Sequence, residues 1–197
     1  MKRKTDFLVL GSGIAGLTFA LKACRYGKVT IVTKRRMEDS NTRYAQGGIA
    51  SVFREPDNFE KHISDTLIAG AGICDEEVVR MVVSEAPERI KDLIELGVPF
   101  DRKEDGSYDL AREGGHSEYR ILHYKDKTGE VIGETLIERV KREPNIEIFE
   151  NHFAIEVLTQ HHLGEVVRRS HPGIKCYGAY VADLVNQKVI TFLSRIT

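Results

Sequence analysis

Phe7-Leu-Val-Leu10, Gly11-Ser-Gly-Ile-Ala-Gly16 and Val29-Thr-Ile-Val32 are the segments whose reading decides the fold. The first is an apolar run of strand length, and the third is a short β-branched run. Between them Leu17, Ala20, Leu21 and Cys24 recur at helical spacing up to Gly27, which suits a helix C-cap. Residues 6–33 therefore predict a strand-turn-helix-strand unit. A glycine-rich turn that follows a strand and opens a helix has a mechanism for binding a dinucleotide pyrophosphate. Gly11 permits the tight turn, Gly13 lets the backbone approach the phosphates, and Gly16 lets the helix pack on the sheet. The helix N-terminus supplies N–H donors and a favourable dipole.

A ribose-binding Asp or Glu is expected about 20 residues beyond this motif, but Thr33 and Lys34 stand at that place. On this reading alone two explanations stay open. Lys34, Arg35 and Arg36 suit the 2′-phosphate of NADP, or they form a solvated basic turn.

Outward from this unit, residues 34–53 lose periodicity around Gly47-Gly48 and predict a long ordered loop. Helices are expected from about Asn58 to Ala69 and from Asp75, a good N-cap with Glu76 and Glu77 in the first turn. Pro87 is expected to start a new helix or to kink the second, with Ile90, Leu93 and Ile94 on one face up to Gly97. Residues 101–130 read as mostly irregular. Glu134–Arg142 reads as a helix with Leu136 and Val140 inward, and Ile146–Phe149 as a strand reached by a parallel crossover. Ala154–Leu158, Cys176–Val181 and Val189–Leu193 predict an antiparallel meander appended to that sheet. The fold class is thus α/β, a Rossmann-like domain with a parallel sheet and a β-meander. The chain ends directly after a strand, where such a sheet should continue, so an incomplete domain is expected.

The 197 residues, 41% hydrophobic, suffice for one well-buried domain. A net charge of −1 with interspersed signs offers no concentrated field for nucleic acid or an anionic membrane. The run after the basic Met1–Lys4 is too short for a signal or membrane segment, which places the protein in the cytoplasm. Cys24, Cys74 and Cys176 have no metal-ligand spacing and are expected as reduced thiols, and no metal is expected.

Three strings carry a resemblance to a known family: Asn41-Thr-Arg-Tyr-Ala-Gln-Gly-Gly-Ile-Ala50, Asp65-Thr-Leu-Ile-Ala-Gly-Ala-Gly-Ile-Cys74 and Arg112-Glu-Gly-Gly-His-Ser117. They closely resemble the L-aspartate oxidases. The similarity continues through Arg120-Ile-Leu-His123 and Lys127-Thr-Gly129 to Ala154, and thins beyond about Gly164. The resemblance implies an FAD-binding domain like that of the fumarate reductase and succinate dehydrogenase flavoproteins. On that pattern residues 1–33 form the nucleotide unit and 34–53 a flavin-contacting loop. Residues 54–145 form a helical and loop region, and 146–197 the last parallel strand and the meander. The capping and C-terminal helical domains, with a catalytic arginine and substrate-binding histidines, would lie beyond Thr197. The 197-residue chain is then expected to have little activity alone.

Residue by residue, the resemblance places Gly11, Ser12, Gly13, Ile14, Ala15 and Gly16 at the pyrophosphate and Lys34 at the adenosine side. It places Asn41, Thr42, Arg43, Tyr44, Ala45, Gln46, Gly47 and Gly48 at the flavin, and Ala154 near the adenine. Backbone N–H groups without obstructing side chains suit the edge of a reduced flavin. Related respiratory enzymes carry a flavin-linked histidine where this chain has Asn41, so noncovalent FAD is expected. Glu113 would orient the substrate, its carboxylate attracting an ammonium group and so separating aspartate from succinate. The implied reaction is oxidation of L-aspartate to iminoaspartate, with hydride passing to FAD and then to oxygen or fumarate. Quinolinate synthase would consume the product in NAD biosynthesis. A noncatalytic nucleotide-binding module and an NADP-dependent reductase are the alternatives.

Overall fold

A computed structural model describes residues 1–168, 170 and 172–197. In chain order the elements are β1 (Lys2–Leu10), α1 (Ile14–Ala23), β2 (Val29–Val32), β3 (Ile49–Ala50), α2 (Phe59–Ala69) and α3 (Glu76–Leu96). There follow β4 (Leu110–Ala111), β5 (Ile121–Leu122), α4 (Thr128–Arg142), β6 (Ile146–Phe149) and β7 (His152–Thr159), then a 3₁₀ turn at Gln160–Leu163, β8 (Cys176–Asp183) and β9 (Lys188–Ile196). They divide into two compact units, Met1–Asn41 with Leu136–Thr197, and Thr42–Thr135.

The first unit is built on a six-stranded sheet ordered β6-β2-β1-β9-β8-β7. β1, β2, β6 and β9 run parallel, and β8 and β7 continue from β9 antiparallel. The α/β reading holds, with β2 at its expected bounds and entirely buried. Two extensions correct it. β1 starts at Lys2 rather than Phe7, because Lys2–Thr5 pair with Thr191–Ser194 of β9, a partner nearly the whole chain away. For the same reason the last meander strand is also a member of the parallel sheet. The β8–β9 hairpin closes on Asp183, whose carboxylate accepts from the N–H groups of Val185 and Asn186, an Asx-type turn.

Leu8, Val32, Ala179, Val181, Ile190 and Phe192 form one buried cluster, with Phe149 packed against it. Phe149 meets Phe192 edge to face at 5.2 Å, the arrangement that aromatic quadrupoles favour. At its start β7 returns to the C-terminal end of β2, where the His152 N–H donates to the Thr33 carbonyl at 2.9 Å.

In the second unit a three-stranded antiparallel sheet, β3-β5-β4, lies in residues that the sequence pattern reads as loop. Strands of two residues carry no periodicity to detect. Asn58 caps α2, accepting from Lys61, and Asp75 caps α3, accepting from Glu77 and Val78. α3 runs unbroken through Pro87 to Gly97, a left-handed C-cap, so Pro87 does not start a new helix. An interior proline costs about 3 kcal/mol. The continuous face of Val83, Ile90 and Leu93, buried on both sides of the proline, offsets it. α4 begins at Thr128, not Glu134, since Gly129 and Gly133 lower the propensity of its first turns without preventing them.

Phe192→Ala should cost about 3–5 kcal/mol by emptying a fully buried aromatic site. The shift in the urea midpoint of the folded chain measures it, and a change below about 1 kcal/mol would remove this cluster from the centre of the fold.

Candidate FAD site and the Glu113 loop

In the first unit, Gly11 stands at φ +107°, a conformation that only glycine adopts without strain, and its N–H donates to Val32 at 2.8 Å. The chain then enters α1 at Gly13, an extended N-cap with no side-chain cap and no acidic residue in the first turn. A Cβ on Gly16 would collide with the Gly11 carbonyl oxygen and lie 3.1 Å from Val9 Cγ1. Strand and helix are therefore as close here as backbone permits. Ser12 is buried, and its hydroxyl pairs with that of Thr33 at 3.1 Å. That pair ties the glycine turn to the end of β2.

Lys34 lies exposed directly after that strand end. The backbone N–H of Asn151, just before β7, donates to the Arg35 carbonyl at 3.2 Å, so Ala154 lies on a strand that starts beside Lys34. The structure thus brings Gly11–Gly16, Lys34 and the start of β7 to one end of the sheet. Asn41, which is exposed, ends the N-terminal segment of this unit.

In the second unit, Thr42–Gly48 run against the N-terminus of α4 and lead into β3. The Gly129 N–H donates to the Ala45 carbonyl at 2.9 Å, and a Cβ on Gly129 would collide with the Thr42 carbonyl and lie 2.8 Å from Ala45 Cβ. Arg43 is held by Glu130 at 2.7 Å and Glu134 at 3.9 Å, so its guanidinium braces the loop on α4. Tyr44, Ala45, Gln46 and Gly47 are exposed. Glu113 is exposed too, and its Oε1 lies 4.0 Å from where a Cβ on Gly47 would stand. Two residues singled out for different roles are therefore neighbours.

Sequence reading missed a polar cluster in the same unit. Arg120 is fully buried, with its guanidinium against Asp57 at 2.7 and 2.9 Å and against Asp65 at 2.6 Å. Ser117 donates to the same Asp65 oxygen from both its N–H and its hydroxyl, each at 2.8 Å. Burial pushes the Asp65 carboxyl up, but those bonds and the Arg120 charge outweigh it and hold the pKa at about 2. Burial, with Arg120 and His116 nearby, pushes the His62 imidazole down. His123 pairs instead with Asp101 at 3.2 Å. An arginine before an apolar pair, Arg120-Ile-Leu122, was the one local hint.

The same unit holds a cavity of about 330 Å³ lined by Arg54, Glu55, Lys103, Asp109 and Tyr119 among others, and none of the expected site residues lines it. Among the described residues no His, Cys, Asp and Glu side chains group to hold a metal ion, and no helix is long and apolar enough to cross a membrane.

The family model of the FAD binding domain matches residues 6–196. The chain belongs to the FAD-binding domain family. It is 48% identical to the chloroplastic L-aspartate oxidase of Oryza sativa subsp. japonica over 98% of its own length and 28% of that protein's. With L-aspartate oxidase of Vibrio cholerae it shares 45% over 91% and 34%. The resemblance read from three strings is borne out, and it extends past Gly164 across nearly the whole chain. This chain spans about a third of the length of these relatives. Among solved structures, an E. coli quinol fumarate reductase FrdA variant superposes with a TM-score of 0.87 at 27% identity, covering 100% of this chain and 33% of that one. Mycobacterium smegmatis Sdh1 in complex with UQ1 gives 0.82 at 26%, covering 98% and 33%.

FAD is the cofactor of this fold, and the residues present fit it. The uncapped N-terminus of α1, the left-handed turn at Gly11 and the glycine contact at Gly16 leave space and donors for a pyrophosphate. The NADP reading of Lys34, Arg35 and Arg36 gives way to it.

The Asp65 pKa carries a stability consequence. Because it is lowered from 3.8 to about 2 on folding, its stabilisation is complete above about pH 4 and is lost as pH falls toward 2. Urea midpoints at pH 7, 4 and 3 should fall over the last interval in the wild-type chain. In Asp65→Asn they should start lower and change less over that interval.

Proposed function

We propose that this chain is the FAD-binding portion of an L-aspartate oxidase, an oxidoreductase that converts L-aspartate to iminoaspartate with oxygen or fumarate as the final acceptor. The observation that carries the reading is Glu113, an exposed carboxylate beside Gly47 of the Asn41–Gly48 loop. A carboxylate there selects a substrate bearing an ammonium group, at a cost to dicarboxylates that lack one. FAD, when bound, supplies two-electron acceptance at its ring system. Gly11–Gly16 then hold the pyrophosphate, Lys34 and the region of Ala154 the adenosine end, and Asn41–Gly48 the flavin. Asn41 has no imidazole with which to form a covalent link, so FAD is held noncovalently.

In this reading residues 1–197 form one part of the FAD-binding domain, and the sheet and loop elements retain the roles assigned from sequence. Three free cysteines suit a reducing compartment such as the cytoplasm. The unstable imine calls for an enzyme that consumes it at once, and quinolinate synthase in NAD biosynthesis fits that chemistry.

A second reading is a noncatalytic FAD-binding module. The deciding experiment is an absorbance spectrum of the purified chain with and without FAD, followed by acid precipitation. Bound FAD, released by acid, is the expected result, with no uptake by Gly16→Val. Flavin that stays in the pellet would sink the noncovalent assignment. FAD uptake accompanied by a spectral response to L-aspartate supports the oxidase reading over the module, and no uptake overturns both.

A further inference from the structure

We propose that Arg120 is a positioning residue for Glu113: clamped by Asp57 and Asp65, it fixes, through Ser117, the loop that presents Glu113 to a cationic amine. The inference rests on the role given to Glu113 above and adds the machinery that would set its geometry.

Glu113 sits in a segment that leaves β4 at Ala111 and rejoins the sheet at β5 with Ile121. Between those anchors the segment is mostly exposed, so burial of side chains does not define its course. Polar contacts do. Asp65, on α2, receives the backbone N–H and the hydroxyl of Ser117 and the Arg120 guanidinium on one oxygen, Oδ2. Arg120 Nη2 reaches Ser117 Oγ at 3.4 Å, and Nη1 donates to His116 Nδ1 at 3.3 Å. The His116 N–H in turn donates to the Glu113 carbonyl at 3.2 Å, which closes a continuous path from the buried guanidinium to the Glu113 backbone. Asp57, immediately before the α2 N-cap, fixes the other edge of the guanidinium in a fork-to-fork pair.

A buried charge cluster of this kind is a poor source of stability, because desolvation consumes much of the Coulombic gain. Its geometric value is larger, since a planar guanidinium with satisfied donors has one orientation. The cluster is also distinct from the group it serves. No ion pair or hydrogen bond of the Glu113 carboxylate is present among the described contacts, while its main chain is tied at residue 116. A ligand amine thus meets an unpaired side chain on a pinned backbone, which is the arrangement that reduces ordering cost on binding.

Ser117→Ala tests this without burying an unpaired charge, and Arg120→Lys removes the planar fork but keeps the charge. Hydrogen–deuterium exchange of the folded chain is the first readout: the amides of 112–117 should exchange at least about tenfold faster in both variants, with β5 and α2 little changed in Ser117→Ala. Unchanged exchange in 112–117 overturns the inference. The second readout is the flavin spectral response of the FAD-loaded chain to L-aspartate against succinate. If Glu113→Gln removes the preference for aspartate and Ser117→Ala lowers it several-fold, the positioning role stands. If Glu113→Gln removes it and Ser117→Ala leaves it intact, the cluster is merely structural and the inference fails alone. If Glu113→Gln keeps the wild-type preference for aspartate, the reading of Glu113 falls and the inference falls with it.

Discussion

β1 is hydrogen-bonded in parallel on both sides, to β2 along Phe7–Leu10 and to β9 along Lys2–Phe7, and the geometry of the candidate nucleotide site follows from that constraint. A strand with two parallel neighbours must hand its chain out of the sheet at its C-terminal end, into a crossover helix. Here the exit is Gly11, and the hydrogen bond from its N–H to Val32 keeps the turn in register with the neighbouring strand. The buried hydroxyl pair of Ser12 and Thr33 and the bond from His152 to Thr33 add to this anchoring. The glycine turn, the end of β2 and the start of β7 are therefore tied together, at the carboxyl ends of parallel strands, where open α/β sheets bind their ligands.

The second unit solves a different problem. Its strands are two residues long, and its loops are long and exposed, so a hydrophobic core of Ile63, Val83, Ile90, Leu93, Leu110, Ile121 and Leu122 is supplemented by a buried arginine with two carboxylates. Removing one member of such a cluster leaves an uncompensated charge and costs about 3–5 kcal/mol, even though the intact cluster adds little net stability. The network makes the loop conformation unique rather than the unit strong. Arg43 does the same for the Thr42–Gly48 loop in a more exposed setting, through Glu130 and Glu134.

Elements defined by local chemistry were legible in advance. β2, the start of α2 near Asn58, the N-cap Asp75, the C-cap Gly97 and the glycine turn each depend on residues within one or two helical turns, and the structure places them where the pattern does, whereas α1 is capped at Cys24 rather than Gly27. Elements defined by distant partners were not. The first five residues of β1 are polar and show no strand periodicity, but their partner β9 makes them strand. β3, β4 and β5 are too short to have a pattern, and Pro87 reads locally as a break that the packed face of α3 overrides. Glu113, Asp65 and Arg120 all stand in family-like strings, but that Asp57 and Asp65 pair with a buried Arg120 is visible only once the fold brings the three together.

The amino-acid sequence by itself determined the βαβ nucleotide unit and its glycine turn, because backbone freedom at Gly11, close approach at Gly16 and apolar periodicity are properties of residues close along the chain. Only the tertiary structure decided that the last strand completes the parallel sheet beside the first, that Gly47 and Glu113 are neighbours, and that Arg120 is buried against Asp57 and Asp65. Those facts depend on contacts between residues 55 to almost 190 positions apart. No local preference encodes such contacts, since they are selected by the total burial and charge pairing of the folded chain.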